Sequence, residues 1–68
     1  MSFSYAPLWK HLIDLEETKS KMREDLGISS ATLAKMGRNE YVAMEVLDKV
    51  CSHYQIPIEE VITWKEDN

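Results

Sequence analysis

Few side chains in this sequence combine the types and spacing that bond-making chemistry needs. Cys51 and His53 stand two apart on what reads as one helix, so they point about 200° from each other and cannot share a metal ion within one chain. His11 has no partner at ligand spacing, and its place at the edge of an apolar stripe makes it a packing residue. The acid pairs Glu16-Glu17 and Glu59-Glu60 are consecutive, so each pair diverges around its helix rather than converging on one proton. No catalytic residues, metal site or cofactor are expected, and the chain is not expected to be an enzyme. The remaining candidate is a set of cations between residues 18 and 39. There Lys19, Lys21, Arg23, Lys35 and Arg38 face only Glu24 and Asp25, a net charge of +3, with Thr18, Ser29, Ser30 and Thr32 among them. Cations and short hydroxyls so mixed suit contact with phosphate.

The rest of the chain is acidic. The whole carries −4; residues 1–17 carry −2, and the stretch from Glu40 to the end carries −5. The positive charge is therefore confined to the place where a duplex would dock, which outweighs the acidic total as a guide to a nucleic-acid partner. A solvated charged face is the plainer alternative.

These residues need elements to hold them. Thr18 to Asn39 reads as two short helices joined at Gly27, with Met22, Leu26, Ile28, Leu33 and Met36 as thin apolar stripes of helices crossing steeply. Thr18 is a good N-cap for a helix over about residues 19–26, although two lysines in the first turn oppose the helix dipole. That arrangement makes sense if an anion lies outside, because free N–H groups at a helix start already attract phosphate. Gly27 supplies the positive φ of the turn, Ile28 plugs the angle, and Ser29 caps a helix over about 30–36 that Gly37 closes. With Leu33 and Met36 facing inward, Ser30, Ala31, Thr32 and Lys35 form the outer face. Ala31 suits a thymine methyl, and Lys35 reaches a guanine or a phosphate. Arg38 and Asn39 follow in the loop at the same end, where both can grip backbone phosphate.

Around this pair, Leu8, Leu12 and Leu15, widened by Trp9 and Ile13, mark a first helix over about 7–16. Val46, Leu47, Val50, Cys51 and Tyr54 give the strongest stripe, a core helix over about 43–54, in which Cys51 is a small buried hydrophobe. Gln55-Ile56-Pro57 breaks it, and a short fifth helix covers about 58–62. Residues 1–6 read as an edge strand or an ordered tail. Trp64 needs a surface to cover, either Phe3 and Tyr5 or a dimer interface; Ile62 and Trp64 are the candidate dimerisation residues.

Length sets the frame. Sixty-eight residues make one domain, 1–68, with the helix-turn-helix core at 18–39. A chain this short is marginal alone and gains from oligomerisation. One cysteine excludes an internal disulfide framework and points to a reducing cytosol. No leader peptide or membrane span is legible, so the expected location is cytoplasmic, with no membrane partner and no evident small-molecule ligand.

In this order and spacing, residues 27–36 (GISSATLAKM), 45–51 (EVLDKVC) and 56–62 (IPIEEVI) resemble the Cro/cI phage-repressor type of helix-turn-helix protein, also called the XRE family. The likeness is greatest to its small single-domain bacterial members and spans about residues 7 to 62. It implies an all-α, lambda-repressor-like bundle of four to five short helices, with room for short terminal strands. It also implies a transcriptional regulator that sets its third helix in the major groove of double-stranded DNA and binds as a homodimer to two half-sites about one turn apart. On this resemblance Lys19 and Ser29 contact phosphate, Ser30, Ala31 and Lys35 read bases, and Thr32 and Arg38 contact the backbone. Two residues depart from the pattern: Arg23 replaces a small residue, and Ala43 stands where a serine commonly caps helix four.

The rival reading is a protein–protein module of the same fold, antitoxin- or antirepressor-like. The acidic total favours it, as does the lack of Asn or Gln at the base-reading positions.

Overall fold

Four helix ends, each bent into the left-handed region, organise this chain. A computed structural model describes residues 2–66; Met1 and the end of the charged tail, Asp67 and Asn68, lie outside the described residues. The elements run β1 (Ser2–Ser4), α1 (Ala6–Asp14), α2 (Lys19–Leu26), α3 (Ser30–Gly37), α4 (Met44–Tyr54), a 3-10 turn (Ile58–Glu60) and β2 (Thr63–Lys65). The fold is the expected helical bundle with short terminal strands.

At the end of α1, Glu16 takes φ 59°, and the Glu17 N–H donates to the Leu12 carbonyl at 2.9 Å. Gly27 does the same after α2 with φ 67°, and the Ile28 N–H donates to the Arg23 carbonyl at 3.2 Å. After α3 the left-handed residue is Asn39 (φ 58°), with the Glu40 N–H on the Lys35 carbonyl at 2.9 Å; after α4 it is Gln55 (φ 53°). Each closure satisfies helix-terminal carbonyls that would otherwise lack partners. Gly37, expected to close α3, is its last helical residue, and the reversal falls two residues later at Asn39.

The first helix is shorter than its apolar pattern suggests. It stops at Asp14, and Ile13 and Leu15 are exposed rather than part of the buried stripe. The fifth helix is reduced to the 3-10 turn, whose following residue Val61 is fully buried. Tyr5, Leu8, Leu12, Met22, Leu26, Ile28, Met36, Leu47, Val50 and Val61 form one core to which all four helices contribute. Leu33, Val46, Cys51 and Tyr54 are partly buried against it.

The termini meet as an antiparallel ribbon, β1 on β2, with Phe3 opposite Trp64. Opposed residues of such a ribbon lie side by side on one face, so Trp64 has the neighbour it needed. Just after β1, the Tyr5 N–H donates to Asn39 Oδ1 at 3.1 Å, and the Tyr5 hydroxyl donates to the Glu40 carbonyl at 2.8 Å. The start of the chain thus fastens the loop that follows α3. No helix among the described residues is long and apolar enough to cross a membrane.

Candidate nucleic-acid interface

Thr18 begins α2 as expected: its hydroxyl accepts from the Lys21 N–H at 3.1 Å. The two first-turn lysines then separate. Lys21 pairs with Asp25 one turn on, at 3.3 Å. The Lys19 ammonium sits instead over the Trp9 ring, 4.3 Å from its centroid. Trp9 is half-buried, packs on the core and lies tilted against Tyr5, so α1 provides an anchored aromatic platform for the cation at the start of α2.

The left-handed turn at Gly27 seats Ile28 in the core and delivers Ser29 as the N-cap of α3. The Ser29 hydroxyl accepts from the Thr32 N–H at 3.1 Å and donates to the Thr32 hydroxyl at 3.0 Å. Along α3, Met36 is fully buried and Leu33 half-buried. The outward face is Ser30, Ala31, Ala34 and Lys35, all exposed, while Thr32 is half-buried beside Ser29. Ala34 therefore joins the expected face. Its spacing of four residues from Ser30 was the available signal.

At the far end of α3 the cations are not all free. The Arg38 Nε donates to the Glu40 carboxylate, and that hydrogen bond raises the guanidinium's pKa and lowers the carboxyl's from their ordinary values. Asn39 uses its side-chain oxygen on the Tyr5 N–H, so it serves first to shape the loop. Lys35, Asn39, Glu40 and Tyr41 line an open groove of about 410 Å³ at this end. Charge counts over residues 18–39 stop one residue short of Glu40, and so miss the acid that faces Arg38.

The candidate dimerisation residues lie on the terminal segment. Ile62 is half-buried and lines a hollow of about 200 Å³ with Phe3, Tyr5, Tyr41, Val42, Met44 and Leu47, while Trp64 is exposed on the ribbon.

The remaining titratable groups build structure. His11 and His53 each meet the Tyr54 ring edge-on, at 5.5 and 4.7 Å between centroids. Tyr54 donates its hydroxyl to Glu17 at 3.0 Å, and burial, helped by that carboxylate, pushes its phenol well above the ordinary range. Burial also raises the pKa of the half-buried Cys51 thiol. Among the described residues no three His, Cys, Asp or Glu side chains gather as a metal site.

Residues 7–67 match the Cro/C1-type helix-turn-helix DNA-binding domain. The chain is also similar to a solved structure described as the crystal structure of transcriptional regulator VanUg, Form II. The two share 36% sequence identity at a TM-score of 0.93, over 97% of this chain and 88% of that one. Comparison with curated proteins returns no match.

Proposed function

The chain belongs to the Cro/C1-type helix-turn-helix DNA-binding domains, and from that premise we propose a sequence-reading transcriptional regulator that sets α3 in the major groove as a homodimer. The observation that carries this reading is the outward face of α3. Ser30, Ala31 and Ala34 are short and exposed beside the long, basic Lys35, on a helix locked into the core through Met36. Short side chains let the helix approach base edges closely, and a lysine one turn on can select guanine. In the same reading Lys19, Ser29, Thr32, Arg38 and Asn39 border the helix as phosphate contacts, and Ile62 and Trp64 serve the dimer. Such a protein works beside DNA in the cytoplasm.

Because Ser30 and Ala31 cannot make the bidentate adenine contact of Asn or Gln, specificity rests on Lys35 and on DNA shape, and is modest. The test is selection of binding sites from random duplexes at low and near-physiological salt, with Lys35→Ala alongside. A two-fold-related motif is expected, and Lys35→Ala should relax it at one position per half-site by about 1–3 kcal/mol. A protein-docking module of the same fold is the second reading, favoured by the tie of Arg38 to Glu40 and by the exposed Tyr41 and Met44. The absence of any enriched sequence, with binding lost at physiological salt, would establish that reading instead.

A further inference from the structure

We propose that Glu40 is a built-in competitor for DNA phosphate, whose carboxylate holds the Arg38 guanidinium and must be displaced before Arg38 can grip the duplex backbone. The proposal rests on α3 being the DNA-facing helix. Its own ground is the way Glu40 is held. The Glu40 N–H donates to the Lys35 carbonyl at 2.9 Å, and its carbonyl accepts the Tyr5 hydroxyl at 2.8 Å. The preceding residue, Asn39, is left-handed and tied to the Tyr5 N–H at 3.1 Å. The backbone is thus fixed from both sides, and from there the side chain, which lines a groove with Lys35, reaches Arg38 Nε.

Folding gives little reason for an acid at this place. A carboxylate beside a helix C-terminus opposes the helix dipole. The Glu40 side chain remains 48% exposed and Arg38 60%, so their ion pair adds little to stability. A carboxylate does, however, make the same charge-assisted hydrogen bond to a guanidinium that a phosphate makes. When DNA arrives, one anion replaces the other at Arg38, and the displaced Glu40 carboxylate stays beside the duplex and repels it. Phosphate-driven affinity for arbitrary sequence falls, while the uncharged contacts to base edges from Ser30 and Ala31 are untouched. The acid therefore weakens the part of binding that carries no sequence information, and does so on every duplex alike.

The test measures binding of a short duplex of arbitrary sequence against salt concentration, for the intact chain and for Glu40→Gln, Glu40→Ala, Arg38→Ala and Arg38→Ala/Glu40→Gln. Both single Glu40 variants keep the backbone hydrogen bonds, and thermal melting checks the fold. Glu40→Gln and Glu40→Ala should bind roughly five-fold more tightly at low salt, with the log–log salt slope steeper by about 0.9, the equivalent of one added phosphate contact. In the Arg38→Ala background the gain should shrink to the smaller part that bare charge repulsion supplies. An unchanged affinity and slope in the Glu40 variants of a chain that does bind DNA overturns the competitor alone. A gain of equal size without Arg38 also overturns it, because Glu40 would then act only as a diffuse charge. No duplex binding by any of the proteins at low salt overturns the DNA-facing reading and the competitor with it.

Discussion

Lys19 is a residue whose position costs the fold something, and the magnitudes nearly cancel. An ammonium in the first turn of α2 opposes the helix dipole by about 0.3–1 kcal/mol. Its seat over the Trp9 ring, 4.3 Å from the centroid, returns about 0.5–1 kcal/mol at an exposed site. Lys19→Ala should therefore change the unfolding free energy by no more than about 0.7 kcal/mol in either direction, by the difference of these two effects. On DNA the two do not cancel, because the cation is held at the open end of α2 where backbone N–H groups also point. The same substitution should weaken binding to all sequences alike and flatten the log–log salt slope by about 0.9. Chemical denaturation beside a salt titration checks both halves, and a large loss of stability with no change in slope would make Lys19 a structural residue. The hydroxyls at the start of α3 divide differently. Ser29 and Thr32 are already bonded to each other, so the free polar face is narrower than the sequence alone suggests.

At the scale of the elements, the four left-handed helix ends make a controlled comparison. Only Gly27 reaches that conformation without a Cβ penalty; Glu16, Asn39 and Gln55 each carry one of about 1 kcal/mol. Glu16→Gly should stabilise the chain by about 0.5–1 kcal/mol, because its left-handed backbone is relaxed. Asn39→Gly relaxes the same torsion yet removes the oxygen that accepts the Tyr5 N–H, a loss of about 1–3 kcal/mol when a donor is left unpaired. It should destabilise on balance, and opposite shifts of the two denaturation midpoints are the expected result. The comparison also explains what the sequence could reveal. Thr18, Gly27 and Ser29 act on backbone within three residues, so the start and turn of α2 and the start of α3 were legible. Asn39 ends α3 in place of Gly37 because Tyr5, 34 residues away, holds its side chain, and no local pattern records that. Strand β1 is one of two readings that residues 1–6 allow, but β2 has three residues, too few for a period, and their pairing exists only because the two ends of the chain meet. At the candidate site the two cases differ: Trp9 meets its cation across a helix junction, whereas Glu40 is only two residues from Arg38 and lies just beyond the basic stretch.

At the scale of the whole molecule, apolar surface remains exposed on one side. The single core engages every helix, yet Phe3, Tyr41, Met44 and Trp64 remain exposed, and all four belong to the ribbon or rim the hollow beside Ile62. A chain of 68 residues buries only about 60% of the surface its unfolded form exposes, less than a larger domain does, so association through this side would add what the monomer lacks. Ile62 and Trp64 distinguish folding from association. Ile62 packs partly against the core, so truncating it unsettles the monomer as well as any dimer. Trp64 is 53% exposed in the single chain, so Trp64→Ser should lower the melting temperature only slightly. If the exposed indole is an anchor of a dimer interface, where tryptophan truncations commonly cost about 2 kcal/mol or more, the same change should weaken self-association by at least about tenfold. Sedimentation over a concentration series, with and without a duplex carrying two half-sites, measures this directly. Concentration-dependent dimerisation that Trp64→Ser abolishes while melting holds would assign the interface. A protein that stays monomeric even on the two-site duplex would remove the dimer from the reading, and each α3 would then have to find its site alone.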